Sequence, residues 1–113
     1  MQYHDQNDYT FSRQLRQGAP DAFNAFVAFD QAVFAEGEGR LDDKVRQLIA
    51  IAVAATTQCP HCMDAHVKAA KEAGATVAEV AEAVMVASAL RAGGAFTHGW
   101  MAMKLFERAG TPA

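Results

Sequence analysis

Residues 56–66 read TTQCPHCMDAH, which places Cys59 and Cys62 three apart and His66 four beyond the second cysteine. Thiols at that spacing can close a disulfide, ligate a metal or remain two unconnected side chains, and the helix that carries them decides which. Proline is tolerated in the first turn of a helix, because the N–H it lacks would have no partner there. Cys59-Pro60 therefore predicts a helix start with Cys59 at its tip. Free N–H groups and the helix dipole stabilise a thiolate at that end. Cys62 follows one turn further in on the same side, so the two sulfurs can meet without refolding. His66 stands at i+4 from Cys62, a neighbour on the helix surface. From Cys59 it is separated by roughly 10 Å of helical rise. His66 can thus serve Cys62 as a base far more readily than Cys59, and the two thiols are expected to have different jobs.

A zinc site built from the same residues does worse. Zinc takes four ligands around one point at bond lengths near 2.0–2.3 Å. Cys59 and His66 are too far apart along a continuous helix to share one ion, there is no second cysteine pair, and His61 points elsewhere. No metal or other cofactor is expected. Two buried cysteines beside a hydrogen-bonded histidine remain the alternative to a redox pair.

The composition narrows the field. The chain has 113 residues, enough for one domain with a core of its own, and 51% of them are hydrophobic, which excludes a disordered chain. The net charge is only −3 and the ten Lys and Arg are scattered, so there is no footprint for nucleic acid. The start, MQYHDQNDYT, is polar and carries no secretory signal. The longest apolar run, Leu48 to Ala55, is far too short to span a bilayer. These features point to the cytoplasm and away from a membrane. In that compartment a close cysteine pair is expected to be redox-active or metal-binding rather than a structural staple.

Proline and glycine punctuate the rest into helix-length pieces. A short helix over Asp8–Gln17 ends at Gly18, so residues 1–18 form an arm, and residues 19–110 the domain. Pro20-Asp21 opens a helix with Phe23, Phe26, Val27, Val33 and Phe34 at helical spacing. Asp42 is the N-cap of the next, whose apolar face is Val45, Leu48, Ile49, Ala52 and Val53. The Cys59-Pro60 helix closes at Gly74. Thr76 and Glu79, at capping-box spacing, begin a helix to about Arg91; Gly93-Gly94 is expected to break it before a last helix from Ala95 to Gly110. Nothing reads as a strand. The expectation is an all-α fold of about six helices. The segment LIAIAVAA is apolar almost all round, which marks a helix covered on every side, and partner subunits are the expected cover.

Three stretches, LDDKVRQLIAIAVA, CPHCMDAHVKAAKEAGAT and EVAEAVMVASALRAGGAFTHG, together resemble the AhpD-like alkylhydroperoxidase branch of the carboxymuconolactone decarboxylase family over about residues 20–105. The resemblance implies an all-helical homo-oligomer, a trimer or hexamer, that reduces peroxides or disulfides in antioxidant defence. It implies that Cys62 is the peroxidatic cysteine, with His66 taking its proton, and that Cys59 is the resolving cysteine. The implied partners are a small-molecule peroxide and a dithiol reductant, or a lipoyl or thioredoxin-like protein. In the family pattern a glutamate twelve residues before the first cysteine charges the relay; this chain has Gln47 there. Glutamine keeps the shape and can orient the ring but supplies no charge, so a weaker base and slow turnover are expected.

Other residues bear on this site. His98, in THG, could approach the dithiol from another helix. His61, between the cysteines, is expected at the site mouth. Asp64 is two residues from His66 and faces another way, so Glu36 or Glu38 is the substitute source of charge. The phenylalanine row 23/26/29/34 and Trp100 with Met101 and Met103 read as core and subunit interface. Two other functions stay open: a non-catalytic redox-sensing or structural oligomer, and a lactone decarboxylase of the same fold that would need neither cysteine.

Overall fold

The computed structural model describes residues 5–37 and 39–110, and no strand occurs among them. A 3-10 turn, Gln6–Phe11, leads into five α-helices: α1 (Ser12–Gly18), α2 (Pro20–Phe34), α3 (Asp43–Thr57), α4 (Pro60–Glu72) and α5 (Val77–Ala109). Glu38 lies outside the described residues.

The helix starts are chemical. Asp42 accepts the Val45 N–H at 2.9 Å, satisfying one of the orphan donors that every helix start exposes. At α5 the capping box is complete: Thr76 Oγ1 accepts the Glu79 N–H at 3.1 Å and Glu79 accepts the Thr76 N–H at 2.9 Å. The same glutamate meets Lys44 Nζ at 2.8 Å, joining the start of α5 to the start of α3. That hydrogen bond holds the Glu79 carboxyl below its ordinary range and the Lys44 ammonium above its own. The end of α4 is a Schellman motif in which Ala75 N–H reaches the Ala70 carbonyl and Gly74 N–H the Lys71 carbonyl. Gly74 supplies the required φ of 93°.

Two expectations fail along α5. Gly93-Gly94 does not break the helix, which runs unbroken for 33 residues, about 50 Å. Neither glycine takes a positive φ, and the alanines and leucine around them favour helix enough to absorb the cost of about 1 kcal/mol each. The six expected helices are therefore five plus a 3-10 turn. The uninterrupted α5 is also long and apolar enough, by length and composition alone, to cross a membrane, which its two expected halves would not have been.

The core is small. α3 packs against both α4 and α5, while α2 packs chiefly against α1. Among the described residues only Ile51, Ala54, Ala70 and Ala87 are buried hydrophobics, and Ile51 is the one large side chain fully enclosed. The face of α3 expected from periodicity is not the buried one: Ile51 and Ala54, outside it, are buried, Val45, Leu48 and Ala52 are partly covered, and Ile49 and Val53 remain about half exposed. Phe26 and Phe29 on α2 and Phe96, Trp100, Met103 and Phe106 on α5 all stand more than 60% exposed. The radius of gyration is 19.4 Å, against about 13 Å for a compact domain of this length.

Replacing Ile51 with alanine removes the only large side chain fully enclosed among the described residues. The expected loss is about 2–5 kcal/mol of unfolding free energy, measured by urea denaturation at fixed protein concentration. A loss well under 1 kcal/mol would mean that the centre of α3 is not the enclosed core.

Candidate active site

The cysteines hang on the joint between α3 and α4, which is only Gln58 and Cys59 long. Gln58 turns the chain with φ 55°, a left-handed conformation that costs a non-glycine residue about 1–2 kcal/mol. Cys59 N–H then donates back to the Ala54 carbonyl at 3.2 Å, closing α3. The same residue opens α4, since Cys59 Sγ accepts the Cys62 N–H at 3.2 Å as an N-cap. One residue thus ends one helix and begins the next. Its sulfur and that of Cys62 are joined in a disulfide, with Cα atoms 5.3 Å apart, within the usual span for such a bond. Cys62 is exposed and Cys59 half-buried.

His66 follows Cys62 by one turn of α4. Its Nδ1–H donates to Gln47 Oε1 at 2.6 Å, across the α3–α4 seam. An imidazole that donates through Nδ1 keeps Nε2 as its acceptor when neutral, so the amide oxygen selects the tautomer able to take a proton. Gln47 therefore performs the orienting half of what a carboxylate would do and leaves out the charge. The sequence placed Gln47, His66 and the two cysteines together. The structure brings Gln47 to His66 and Cys59 to Cys62.

Behind the relay lies a cavity of about 230 Å³ lined by Phe34, Glu36, Asp43, Arg46, Gln47 and Glu72, among others. Glu36, expected as a distant source of charge, shares this cavity with Gln47. Asp64 pairs with Lys68 at 3.4 Å instead of with a relay residue. His98 is exposed on α5 and lines a groove made only of α5 residues, Trp100 and Met101 among them; within one chain, that groove holds none of the other site residues.

Three features of the site were not foreseen. The Phe34 ring lies against His66, centroids 4.7 Å apart; its helical spacing had assigned it to the core. Asp8 Oδ2 meets His61 Nε2 at 3.1 Å, bringing the N-terminal 3-10 turn to the site mouth. Glu72 enters the cavity from the far end of α4. No spacing rule links Asp8 to His61, because the two are far apart along the chain and sit on different elements. Glu72 stands six residues beyond His66, off its face of α4, so helical spacing does not single it out.

The profile of the carboxymuconolactone decarboxylase family matches residues 20–105. The chain belongs to the carboxymuconolactone decarboxylase family. It is 45% identical over 84 residues to uncharacterized protein 4 in the cox locus of Paracoccus denitrificans, covering 74% of each chain. A crystal structure of a Methanobacterium thermoautotrophicum protein superposes with a TM-score of 0.69 at 33% identity, over 77% of this chain and 96% of that one. The apo structure of a carboxymuconolactone decarboxylase family protein from Legionella pneumophila gives 0.65 at 29% identity, over 88% of both.

The neutral amide yields a direct test. In reduced protein carrying Cys59→Ser, so that Cys62 is the sole thiol, Gln47→Glu should shift the pH midpoint of Cys62 alkylation downward. A carboxylate against Nδ1 favours the protonated ring and hence the thiolate beside it. An unchanged profile would mean that the relay draws its charge from elsewhere, with Glu36 the next residue to replace.

Proposed function

We propose that this family member is a cofactor-free thiol peroxidase or disulfide reductase of the AhpD-like branch, acting in the cytoplasm. The observation that carries the proposal is the disulfide-bonded pair at the tip of α4, one turn before a histidine whose tautomer is set by Gln47. His66 takes the Cys62 proton. The thiolate attacks the peroxide O–O bond, Cys62 becomes a sulfenic acid, and the leaving alkoxide takes a proton to depart as the alcohol. Cys59 then attacks the sulfenic sulfur, expelling water and closing the disulfide. A dithiol donor, either a small dithiol or a lipoyl or thioredoxin-like protein, opens it by exchange and is itself oxidised.

The two thiols receive different help. The Cys62 amide and the start of α4 favour negative charge on Cys59, which suits a leaving group in the reductive half. Exposure and the nearby imidazole suit Cys62 to meet the peroxide. Because the amide at position 47 adds no charge, turnover is slow relative to a relay with a carboxylate; general-base help is typically worth about 10²–10⁴-fold, and part of that range is forgone.

The apolar side chains left exposed on α2 and α5 support a homo-oligomer, a trimer or hexamer, in which further copies cover them. The same cover accounts for an α5 apolar enough for a bilayer without placing it in one.

Cys62→Ser should abolish peroxide consumption, whereas Cys59→Ser should still react once and accumulate a sulfenic acid at Cys62, followed by mass spectrometry. Full consumption by Cys62→Ser alongside an inert Cys59→Ser would reverse the assignment. Decarboxylation of a lactone substrate, undiminished by loss of both cysteines, would favour the lactone decarboxylase instead. Light scattering should give three or six times the chain mass of 12.1 kDa; a stable monomer at micromolar concentration would contradict the assembly.

A further inference from the structure

The Phe34 ring rests on His66, yet α2 packs chiefly against α1 and has little else to hold its end over the site. The link is Arg46. Its Nη1 donates to the carbonyl of Val33, next to Phe34, at 3.2 Å. Its Nη2 pairs with Asp43, and the same carboxylate oxygen accepts the Gly37 N–H at 3.3 Å. A Cβ added at Gly39 would come within 3.3 Å of Nη1, so the loop after α2 closes directly on the guanidinium. The side chain is only 12% exposed, and its backbone is adjacent to Gln47.

We propose that Arg46 is a positioning residue for the thiol relay: it ties the end of α2 to α3 and so presses Phe34 against the His66 ring that Gln47 orients. A guanidinium suits this place. Its planar fork serves a carbonyl and a carboxylate at once, and its charge complements the negative end of the α2 dipole. With α2 released, the imidazole keeps its bond to Gln47 but loses the surface that fixes its plane, and Cys62 loses a well-placed base. The proposal rests on the reading above only in taking His66 to act on Cys62; it requires no peroxide chemistry.

The experiment follows the pH profile of iodoacetamide alkylation in reduced Cys59→Ser protein, where Cys62 is the sole thiol. Arg46→Met keeps the apolar stem and removes the fork. It should slow alkylation at neutral pH about tenfold, within the about 10²-fold that a 1 Å misplacement can cost, and move the midpoint upward. Arg46→Lys should recover part of the rate by reaching the Val33 carbonyl alone, and Phe34→Leu should move the profile in the same direction as Arg46→Met. A profile for Arg46→Met that superimposes on the parent overturns the proposal, as does an unmoved profile for Phe34→Leu. If Arg46→Met does not fold, as judged by circular dichroism, the Phe34→Leu profile decides alone. The control is His66→Asn: if it leaves the parent profile unchanged, His66 does not act on Cys62 and the proposed function fails with it. A wild type that consumes no peroxide, with the Arg46 profiles moving as expected, sinks the peroxidase and leaves the positioning role standing.

Discussion

The bond from His66 Nδ1–H to Gln47 Oε1, 2.6 Å across the α3–α4 seam, is the constraint around which the site is arranged. It needs α3 and α4 side by side, which the two-residue joint at Gln58 and Cys59 enforces. The same joint places Cys59 at the tip of α4 and sends Cys62 one turn further along it. Helix pairing, sulfur pairing and ring tautomer are therefore consequences of one tight connection, with Ile51 on α3 and Ala70 on α4 fully buried. The strain at Gln58, at a site of chemistry, fits a backbone held by its surroundings rather than by its own preference.

Around that rigid joint the rest of the chain is loosely held. A core of three alanines and one isoleucine encloses little apolar area, and at about 25 cal/mol per Å² little area means little stabilisation. From Arg91 onward no residue of α5 is buried and only Gly99 is even partly covered. Many of the chain's large hydrophobic residues stand exposed in a single copy, the surfaces that the proposed assembly would cover. Stability and assembly are then expected to be coupled, so that apparent stability depends on protein concentration.

The site was largely legible in the sequence because its determinants are local. Cysteine spacing, a proline at the first helical position and a histidine at i+4 are all read within one helix, and Gln47 was located by the resemblance of the surrounding motif. The capping box at Thr76 and Glu79 was equally plain, since it is written in four residues. What escaped depends on distance along the chain. Phe34 on His66, Arg46 on Val33 and Asp8 on His61 are set by how α2 and the N-terminal turn return to the site, and no periodicity encodes that return. The error at Gly93-Gly94 has another origin. Paired glycines lower helix propensity without forbidding a helix, and sixteen residues of capped helix before them carry the structure through.

The most direct measurement is the mass of the fully reduced wild-type protein after one equivalent of peroxide. The expected product has lost two hydrogen atoms per chain, with Cys59 and Cys62 joined to each other and both closed to alkylation until a dithiol is added. Two thiols that remain free and alkylatable, with the peroxide unconsumed, would show that the pair at the tip of α4 does not perform peroxide chemistry.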